Sequence, residues 1–190
     1  MNGLIKGMLA YYPLSDKTID SFDSICEEMS YTKNDFLLRA GELCNYVFYL
    51  KKGLLGYYID DEKGDSIYKM FFEEQSVVTA TVATILEKPS SFNIVALEDC
   101  EVIRYPVRTY RRMLEEFPDL AMYHIRYIED NWIVAKEPLE ISLKSETAKQ
   151  RYLQLQEQPS LFNRLKQHHI ASYLGVTPTQ VSRIRKELNL

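Results

Sequence analysis

The chain has 190 residues, 46% of them hydrophobic and 26% charged, and a formal net charge of −4. This composition excludes an intrinsically disordered chain, and the length allows one large domain or two small ones. The sequence has no apolar run of about 18 residues and no secretory signal at its start, so it predicts a cytoplasmic protein with no membrane partner.

The N-terminal part of the chain predicts helices followed by short strands. Apolar residues recur at helical spacing within residues 4–29: Leu4, Met8, Leu9, Ile19, Phe22 and Ile25. From Tyr31 onward, short segments rich in Val, Ile, Tyr and Phe alternate with Gly, Asn and Asp. Residues 54–72 are typical of a hairpin with the turn Asp-Glu-Lys-Gly. Repeated short strands of this kind predict an α+β fold whose body is an antiparallel jelly-roll barrel.

A long helix with two apolar stripes is predicted after the strands. A short helix over Val107–Phe117 precedes it, and the long helix covers Leu120–Glu137, where Pro138 is expected to end or kink it. Two stripes indicate packing on the chain's own barrel and on a second copy of the chain; burial of the helix in a single core is the alternative. Asn131 favours the pair, because an amide in a symmetric interface can meet its twin and set the register. The first stripe is Leu120, Tyr123, Tyr127 and Val134, the second is Ala121, Ile125, Ile128 and Trp132, and the predicted dimer interface is Leu120, Tyr123, Tyr127, Asn131 and Val134.

Two short helices joined by a glycine turn are predicted near the C-terminus, after a bridging helix over about 145–158. The first of them covers 170–174, where apolar residues share one face. Gly175 follows at a position where a helix end favours a residue that tolerates positive φ. Thr177 then matches an N-cap with Pro178 in the first helical position, and a glutamine three residues after the threonine completes a capping box.

The second of these helices has one apolar face and one polar, basic face. The apolar face is formed by Val181, Ile184 and Leu188, and the opposite face carries Thr179, Arg183 and Lys186 with Ser182 at its edge. Two helices with a glycine turn and such an outer face predict a helix-turn-helix, whose second helix enters the DNA major groove. Residues 141–190 contain eight Lys and Arg and three Asp and Glu, a net charge of +5. Residues 1–140 contain the remaining 15 Lys and Arg and 24 Asp and Glu, a net charge of −9. This asymmetry favours a polyanion as partner of the C-terminal end. The predicted DNA-binding residues are Thr177, Pro178, Thr179, Ser182, Arg183 and Lys186.

The sequence predicts no cofactor and no metal site. Cys26, Cys44 and Cys100 are far apart and never form a Cys-x-x-Cys pair, which is typical of reduced thiols rather than of a zinc site or an iron–sulfur cluster. His124 is the only histidine outside the C-terminal end, and it is interpreted as a surface or interface residue rather than a haem ligand.

The order of these elements, ending in SYLGVTPTQVSRIRK, resembles the CRP/FNR family of bacterial transcription factors, and YVFYLKKG at Tyr46–Gly53 is consistent with it. The resemblance covers essentially the whole chain. It implies a cyclic-nucleotide-binding-type sensor barrel at 1–117, a dimerisation helix and linker at 118–143, and a helix-turn-helix DNA-binding domain at 144–190. It further implies a homodimer on a palindromic operator in double-stranded DNA, with RNA polymerase and a small-molecule effector as additional partners. Thr179 and Arg183 then take base-reading positions.

Two departures from the family pattern bear on function. The recognition helix starts with Pro178 and Thr179 where many members have Arg-Glu, so a different DNA sequence is expected. Residues 71–99 lack the Gly-Glu pair that contacts the ribose of a cyclic nucleotide, and Ser90 beside Ser91 stands where the family has the phosphate-binding arginine. A phosphate without a compensating charge is costly to bury, so cyclic AMP is not the expected effector. Another ligand is expected to contact the barrel mouth, at the residues Thr79, Thr81, Thr84, Ser90, Ser91, Tyr123 and Tyr127.

The leading hypothesis is therefore a dimeric, sequence-specific DNA-binding regulator. The alternative is a ligand-binding sensor module whose C-terminal helices bind a protein partner rather than DNA. The basic face of the last helix favours DNA, because partner-binding grooves prefer apolar anchors. An enzyme on a small barrel is a third possibility, and the sequence argues against it because it contains no nucleophile motif, metal-ligand set or phosphate loop.

Overall fold

A computed structural model describes residues 2–188, so the outer limits of the first and last predicted domains, residues 1 and 190, lie outside the described range. Within that range, the strands are β1 Glu27–Tyr31, β2 Phe36–Leu38, β3 Tyr46–Lys52, β4 Leu55–Asp60, β5 Ser66–Phe72, β6 Val77–Val78, β7 Asn93–Ala96 and β8 Cys100–Pro106. They form two antiparallel sheets, ordered β1-β8-β3-β6 and β2-β7-β4-β5. Two such sheets packed face to face make the predicted jelly-roll barrel.

Helices flank the barrel and continue to the C-terminal end of the chain. They are α1 Asn2–Tyr11, α2 Asp16–Asp23, α3 Thr81–Leu86, α4 Val107–Glu116, α5 Pro118–Ile128, α6 Ala135–Ser145, α7 Ala148–Gln156, α8 Pro159–Phe162, α9 Gln167–Leu174 and α10 Pro178–Glu187. A π-helical turn, Glu129–Val134, joins α5 to α6 without a break. The α+β fold class is confirmed, and no helix in the described part of the chain has the length and apolar character needed to cross a bilayer.

The predicted hairpin is present, whereas the start of the first strand was predicted too late. Strands β4 and β5 pair with Asp60 opposite Ser66. The carboxylate of Asp61 stabilises the turn because it accepts hydrogen bonds from the backbone N–H groups of Lys63 and Asp65 at 2.8 and 2.9 Å. Strand β1 begins at Glu27 rather than near Tyr31, since its pairing with β8 is decided by a partner strand distant in sequence.

Of the two outcomes predicted for Pro138, an end or a kink of the long helix, the structure excludes the end. Helix α6 contains this proline and continues to Ser145. A helical proline lacks an N–H and crowds the carbonyl four residues earlier, which here belongs to Val134. Val134 is the last residue of the π-helical turn, where the hydrogen-bond register changes. The wider turn therefore accommodates the proline. The bridging helix predicted over about 145–158 begins later, at Ala148, after a capping box at Thr147.

The first sheet separates two apolar cores. One fills the space between the two sheets, and the other covers the outer face of the first sheet with α1, α2, α4 and α5. Strand β3 contributes to both, because Phe48 and Leu50 belong to the inner core while Val47 and Tyr49 belong to the outer one. The strand is therefore apolar on both faces, which is why its sequence shows no polar alternation.

The C-terminal helices pack against the barrel through a third core. Ile170, Leu174, Val181 and Ile184 are buried there together with Leu54 of the barrel. Strand β5 is the edge of its sheet, and its exposed edge is covered by α9. An edge strand presents unpaired backbone groups that must find partners when they are covered. The structure thus describes the helix-turn-helix in contact with the barrel of its own chain.

Candidate functional site

The helix-turn-helix has the local geometry that the sequence predicts. Gly175 ends α9 with φ of +68°, a left-handed conformation that favours glycine. The Thr177 side chain accepts a hydrogen bond from the backbone N–H of Gln180 at 3.2 Å, and the Gln180 side chain accepts one from the Thr177 N–H at 2.8 Å. This capping box starts α10 at Pro178, as predicted. The apolar residues Val181 and Ile184 then bury one face of α10.

The opposite face of α10 is open to solvent and basic. All six residues predicted to bind DNA are exposed: Thr177, Pro178, Thr179, Ser182, Arg183 and Lys186. Within residues 2–188, neither Arg183 nor Lys186 takes part in an ion pair, so both cations are available to an external anion. Arg185, next to the buried Ile184, is exposed as well.

Three of the six residues have hydrogen-bond partners within the chain, which limits what they offer to DNA. The Thr177 side chain and its N–H group are both engaged in the capping box. Ser182 accepts a hydrogen bond from the Gln167 side chain at 2.6 Å, and Gln167 also donates to the carbonyl of Pro178 at 2.8 Å. Because Pro178 has no N–H, Thr179 supplies the free backbone donor of the first turn. Gln167 holds α9 and α10 in their mutual orientation, a role that the sequence did not reveal.

Helix α9 docks on the barrel through hydrogen bonds that complete the edge of β5. The N–H of Tyr68 donates to the Ser172 hydroxyl at 2.9 Å, and this hydroxyl donates to the carbonyl of Ser66. His169 packs edge-on against the Tyr68 ring, with ring centroids 5.0 Å apart. Burial, with a smaller contribution from the charge of the neighbouring His168, lowers the pKa of His169 to about 4. The imidazole at this contact is therefore neutral at physiological pH.

An arginine before the helix-turn-helix adds a second contact with the barrel. Arg164 pairs through both terminal nitrogens with the Glu74 carboxylate, at 2.9 and 3.0 Å. The same guanidinium contacts Glu98 at 2.6 Å. The hydrogen bonds from Arg164 hold the pKa of Glu74 at about 2, well below its usual value. The sequence gives no sign of this cluster, because its members lie 66 and 90 positions apart.

The predicted effector residues lie mostly around one cavity of about 340 Å³. Five of the seven line it: Thr79, Thr81, Thr84, Tyr123 and Tyr127. The cavity lies on the outer face of the first sheet, bounded by α3, α4, α5 and the π-helical turn, and not between the sheets. Ser90 and Ser91 lie outside it. Ser90 is buried. Its hydroxyl donates to the backbone carbonyl of Phe92 at 2.9 Å and accepts a hydrogen bond from the Phe92 N–H at 3.0 Å.

The cavity has an apolar wall and a few polar groups. The buried hydroxyl of Thr81 has no hydrogen-bond partner. Tyr110 and His124 approach each other at 3.2 Å between the phenol oxygen and Nδ1. Burial and the positive charge of Arg111 lower the pKa of His124, and this half-buried residue lines the cavity. Trp132, on the π-helical turn, also lines the cavity and was not anticipated as a ligand contact.

The interior of the barrel, where the family resemblance implies a nucleotide, is filled by side chains. Tyr57 and Phe92 stack there with ring centroids 4.3 Å apart. Ala80 and Val78 are almost completely buried in the same core. These groups are apolar or aromatic, and the ammonium of the exposed Lys69 on β5 lies beside the two stacked rings, 5.8 Å from the Tyr57 centroid and 5.4 Å from the Phe92 centroid.

The first three residues of the first apolar stripe, Leu120, Tyr123 and Tyr127, pack inside the chain, which corrects part of the predicted dimer interface. Leu120 and Tyr123 are buried in the outer core and have no surface to offer a second copy. Tyr127 packs against Tyr11, and the exposed Asn131 donates to the Tyr11 hydroxyl at 2.8 Å. The apolar residues that are exposed on this helix are Ile125, Trp132, Ile133, Val134, Leu139, Ile141 and Leu143. Of the predicted interface, Val134 belongs to this exposed set.

Comparison with known proteins finds a family model that matches the barrel. Residues 28–117 match the family model of the cyclic nucleotide-binding domain. The cAMP-activated global transcriptional regulators CRP of Pasteurella multocida and Salmonella typhimurium are each 24% identical to this chain, over 111 and 110 residues. Those matches cover 58% of this chain and 53% and 52% of the relatives, so the chain spans about half the length of the curated relatives it matches.

Solved structures share the fold over most of the chain. A transcriptional regulator assigned to the crp/fnr family from Eubacterium rectale superposes with a TM-score of 0.73 at 16% identity, over 95% of this chain and 88% of that one. FixK2 of Bradyrhizobium japonicum gives a TM-score of 0.69 at 18% identity, over 87% and 85% of the two chains. The c-di-GMP responsive global regulator CLP of Xanthomonas campestris gives 0.68 at 12% identity, over 92% of each. At these identities the likeness concerns the fold.

Proposed function

We propose that this chain, which carries a cyclic nucleotide-binding domain at residues 28–117 and has the fold of the CRP/FNR regulators, is a dimeric, sequence-specific DNA-binding transcriptional regulator. The observation that carries the proposal is the open face of α10, where Arg183 and Lys186 are exposed and unpaired within the described chain. The relatives are transcriptional regulators, which supports a binding function rather than an enzymatic one.

The face of α10 offers two kinds of DNA contact. Arg183 lies one turn inside the helix, from where its guanidinium can form a bidentate pair with guanine O6 and N7. Thr179 near the helix start can contact a base edge with its hydroxyl or methyl group. Lys186 lies farther along the helix and is assigned to phosphate, together with the free N–H of Thr179. Base contacts specify sequence and phosphate contacts orient the protein, so these residues have separable roles.

A homodimer would bring two such helices to a palindromic operator. The exposed apolar residues of the long helix, among them Ile125, Ile133 and Val134, supply a surface for the second copy. The chain then divides into a sensor barrel at 1–117, a dimerisation helix and linker from 118 to about 143, and a DNA-binding domain from 144 onward. RNA polymerase is the further partner expected of a transcriptional regulator.

The sensor of this protein is proposed not to bind cyclic AMP, whereas the curated relatives are named as cAMP-activated regulators. Three observations support this. The barrel interior is filled by Tyr57 and Phe92, the Ser90 hydroxyl is engaged by backbone, and the chain has serine where the family has its phosphate-binding arginine.

The test is selection of bound sites from random double-stranded DNA by the purified protein. We expect enrichment of a palindrome whose half-sites lie about one helical turn, roughly 10 base pairs, apart. Arg183→Ala should lose the preference at one base pair in each half-site, while Arg112→Ala, which removes an exposed arginine of α4, should select the same site as the wild type. If no site is enriched even at low salt, with or without cell extract, the C-terminal helices serve a protein partner and the proposal is wrong.

A further inference from the structure

The cavity between α3, α4 and α5 is a separate compartment from the nucleotide position of the barrel. It is lined by Val47 and Tyr105 from the outer face of the first sheet, whereas the stacked rings of Tyr57 and Phe92 occupy the space between the sheets. A molecule in the cavity would therefore contact different residues from a nucleotide in the barrel. A volume of about 340 Å³ falls within the range of small-molecule sites, which starts at roughly 300 Å³.

The wall of the cavity suits an apolar or aromatic body. Its aromatic lining consists of Tyr105, Tyr110, Tyr123, Tyr127, His124 and Trp132, and valine, leucine and isoleucine side chains cover much of the rest. Burial raises the pKa of Tyr127 to about 12, and it raises the pKa of Tyr110 and Tyr123 further, so these phenols stay neutral. Burial also lowers the pKa of His124, which favours the neutral imidazole.

The polar groups of the cavity lie along α3 and the facing side of α4. The Thr84 hydroxyl donates to the backbone carbonyl of Thr81 at 2.8 Å, and the buried Thr81 hydroxyl itself has no hydrogen-bond partner. Buried polar groups normally have hydrogen-bond partners, so this hydroxyl is ready to bind a ligand atom. Arg111 is the only charged residue of the lining, since no Asp or Glu lines the cavity. Its nearest carboxylate, that of Glu87, is 3.8 Å away and outside the lining.

From this arrangement we propose that the cavity binds a small amphipathic acid, a molecule with an apolar or aromatic body and one negatively charged group. The body would pack against the tyrosines and Trp132, the Thr81 hydroxyl would donate to the ligand, and the acid group would face Arg111. A cation is disfavoured because the lining has a positive charge and no negative one. A cyclic nucleotide is disfavoured because its ribose and base would leave polar groups unpaired against apolar walls.

A ligand at this place would connect the barrel to the long helix. Thr81 and Ile85 on α3 lie on one side of the cavity, and Tyr127, Ile128 and Trp132 on the long helix lie on the other. Trp132 belongs to the π-helical turn, and such turns occur frequently at functional sites. The proposal deepens the proposed function by naming the class of effector. It concerns ligand binding alone, so its test needs no DNA and its failure is distinguishable from a failure to bind DNA.

The test uses 1-anilinonaphthalene-8-sulfonate, which is an apolar aromatic molecule with one negative charge. Trp132 is the single tryptophan of the chain and reports directly on the cavity. Titration of the intact protein with the dye should give a saturable rise of dye emission, with one site per chain and matching loss of Trp132 emission. N-phenyl-1-naphthylamine has the same ring system without the sulfonate, and it should bind more weakly, by roughly twofold to tenfold, because it loses the contact with Arg111.

Conservative variants separate the cavity from other surfaces. Thr81→Val and Arg111→Gln should each weaken dye binding by roughly twofold to tenfold. Their controls are Thr109→Val and Arg112→Gln, which change residues of α4 that do not line the cavity and should bind as the wild type does. Arg111→Gln should also abolish the difference between the dye and its uncharged analogue. Thr84→Phe should fill the cavity and prevent binding of the dye. The melting temperature of this variant verifies that it folds.

Three results would overturn the proposal. The first is dye binding of wild-type strength in both Thr81→Val and Arg111→Gln. The second is dye binding without any change in Trp132 emission, which would place the dye elsewhere. The third is displacement of the dye by micromolar cyclic AMP, which would assign the cavity to a nucleotide.

Discussion

Replacement of Arg164 tests whether electrostatic contacts hold the C-terminal helices against the barrel. The guanidinium lies among three carboxylates, those of Glu73, Glu74 and Glu98, at 4.0, 2.9 and 2.6 Å. Arg164→Met keeps much of the side-chain volume and removes the charge. The carboxylates would then face one another without a cation, and the contact between the barrel and the segment before the helix-turn-helix would weaken.

The size of the effect follows from the pKa of Glu74. The hydrogen bond from Arg164 lowers this pKa from 4.5 to about 2, which corresponds to about 3 kcal/mol at 1.36 kcal/mol per unit. The Glu74 side chain is 38% exposed, so screening by solvent reduces the contribution to about 1–2 kcal/mol. A lowered carboxylate pKa stabilises the fold above pH 4.5, and this stabilisation is lost as the pH falls from 4.5 through 2. The variant should therefore be less stable by about 1–2 kcal/mol at pH 7 and nearly equal to the wild type close to pH 2.

Urea unfolding followed by circular dichroism at pH 7, 5 and 3 measures this difference. The control is Arg126→Met, because Arg126 forms one exposed pair with Glu129 and its loss should change the free energy of unfolding by less than about 0.5 kcal/mol. An equal loss for Arg164→Met at pH 7 and pH 3 would refute the electrostatic reasoning and assign the effect to packing of the side-chain stem. No loss at pH 7 would show that the pairs contribute nothing.

Three further predictions concern assembly, the sensor and DNA reading. Light scattering at micromolar concentration should give twice the 22.3 kDa chain mass. Ile133→Glu, which changes an exposed apolar residue of the long helix, should give a folded monomer, whereas Leu120→Glu should give an unfolded protein. A dimeric Ile133→Glu variant would place the interface elsewhere. Calorimetric titration should detect no binding of cyclic AMP or cyclic GMP below about 1 mM, an affinity of roughly −4 kcal/mol, and a micromolar dissociation constant would contradict the proposed sensor. Arg183→Ala should weaken specific DNA binding roughly tenfold to a hundredfold at an unchanged melting temperature, whereas Lys186→Ala should weaken all sequences alike and lower the salt slope by about one per subunit. Uniform weakening by Arg183→Ala would identify it as a phosphate contact instead.

Local features of the chain could be predicted because neighbouring residues determine them. The turn at Gly175 and the cap at Thr177 depend on φ and on hydrogen bonds that span three residues, so their residue types are sufficient evidence. The exposed face of α10 follows from helical periodicity in the same way. The hairpin at Asp60 and Ser66 is also local, since its turn residues lie between two strands that pair directly.

The tertiary structure alone decided which surface each stripe and each polar group faces. Both stripes of the long helix are apolar, and only the position of Tyr11 on α1 shows that Tyr127 packs within the chain and that the exposed Asn131 has a hydrogen-bond partner there. The sequence likewise suggested a ligand near Thr79–Thr84, but the cavity arises where α3, α4 and α5 meet, and it includes His124 and excludes Ser90. The Arg164 cluster joins residues 66 and 90 positions apart. Periodicity specifies that a face is buried, whereas the identity of its partner depends on how distant elements pack, and residue spacing carries no information about that.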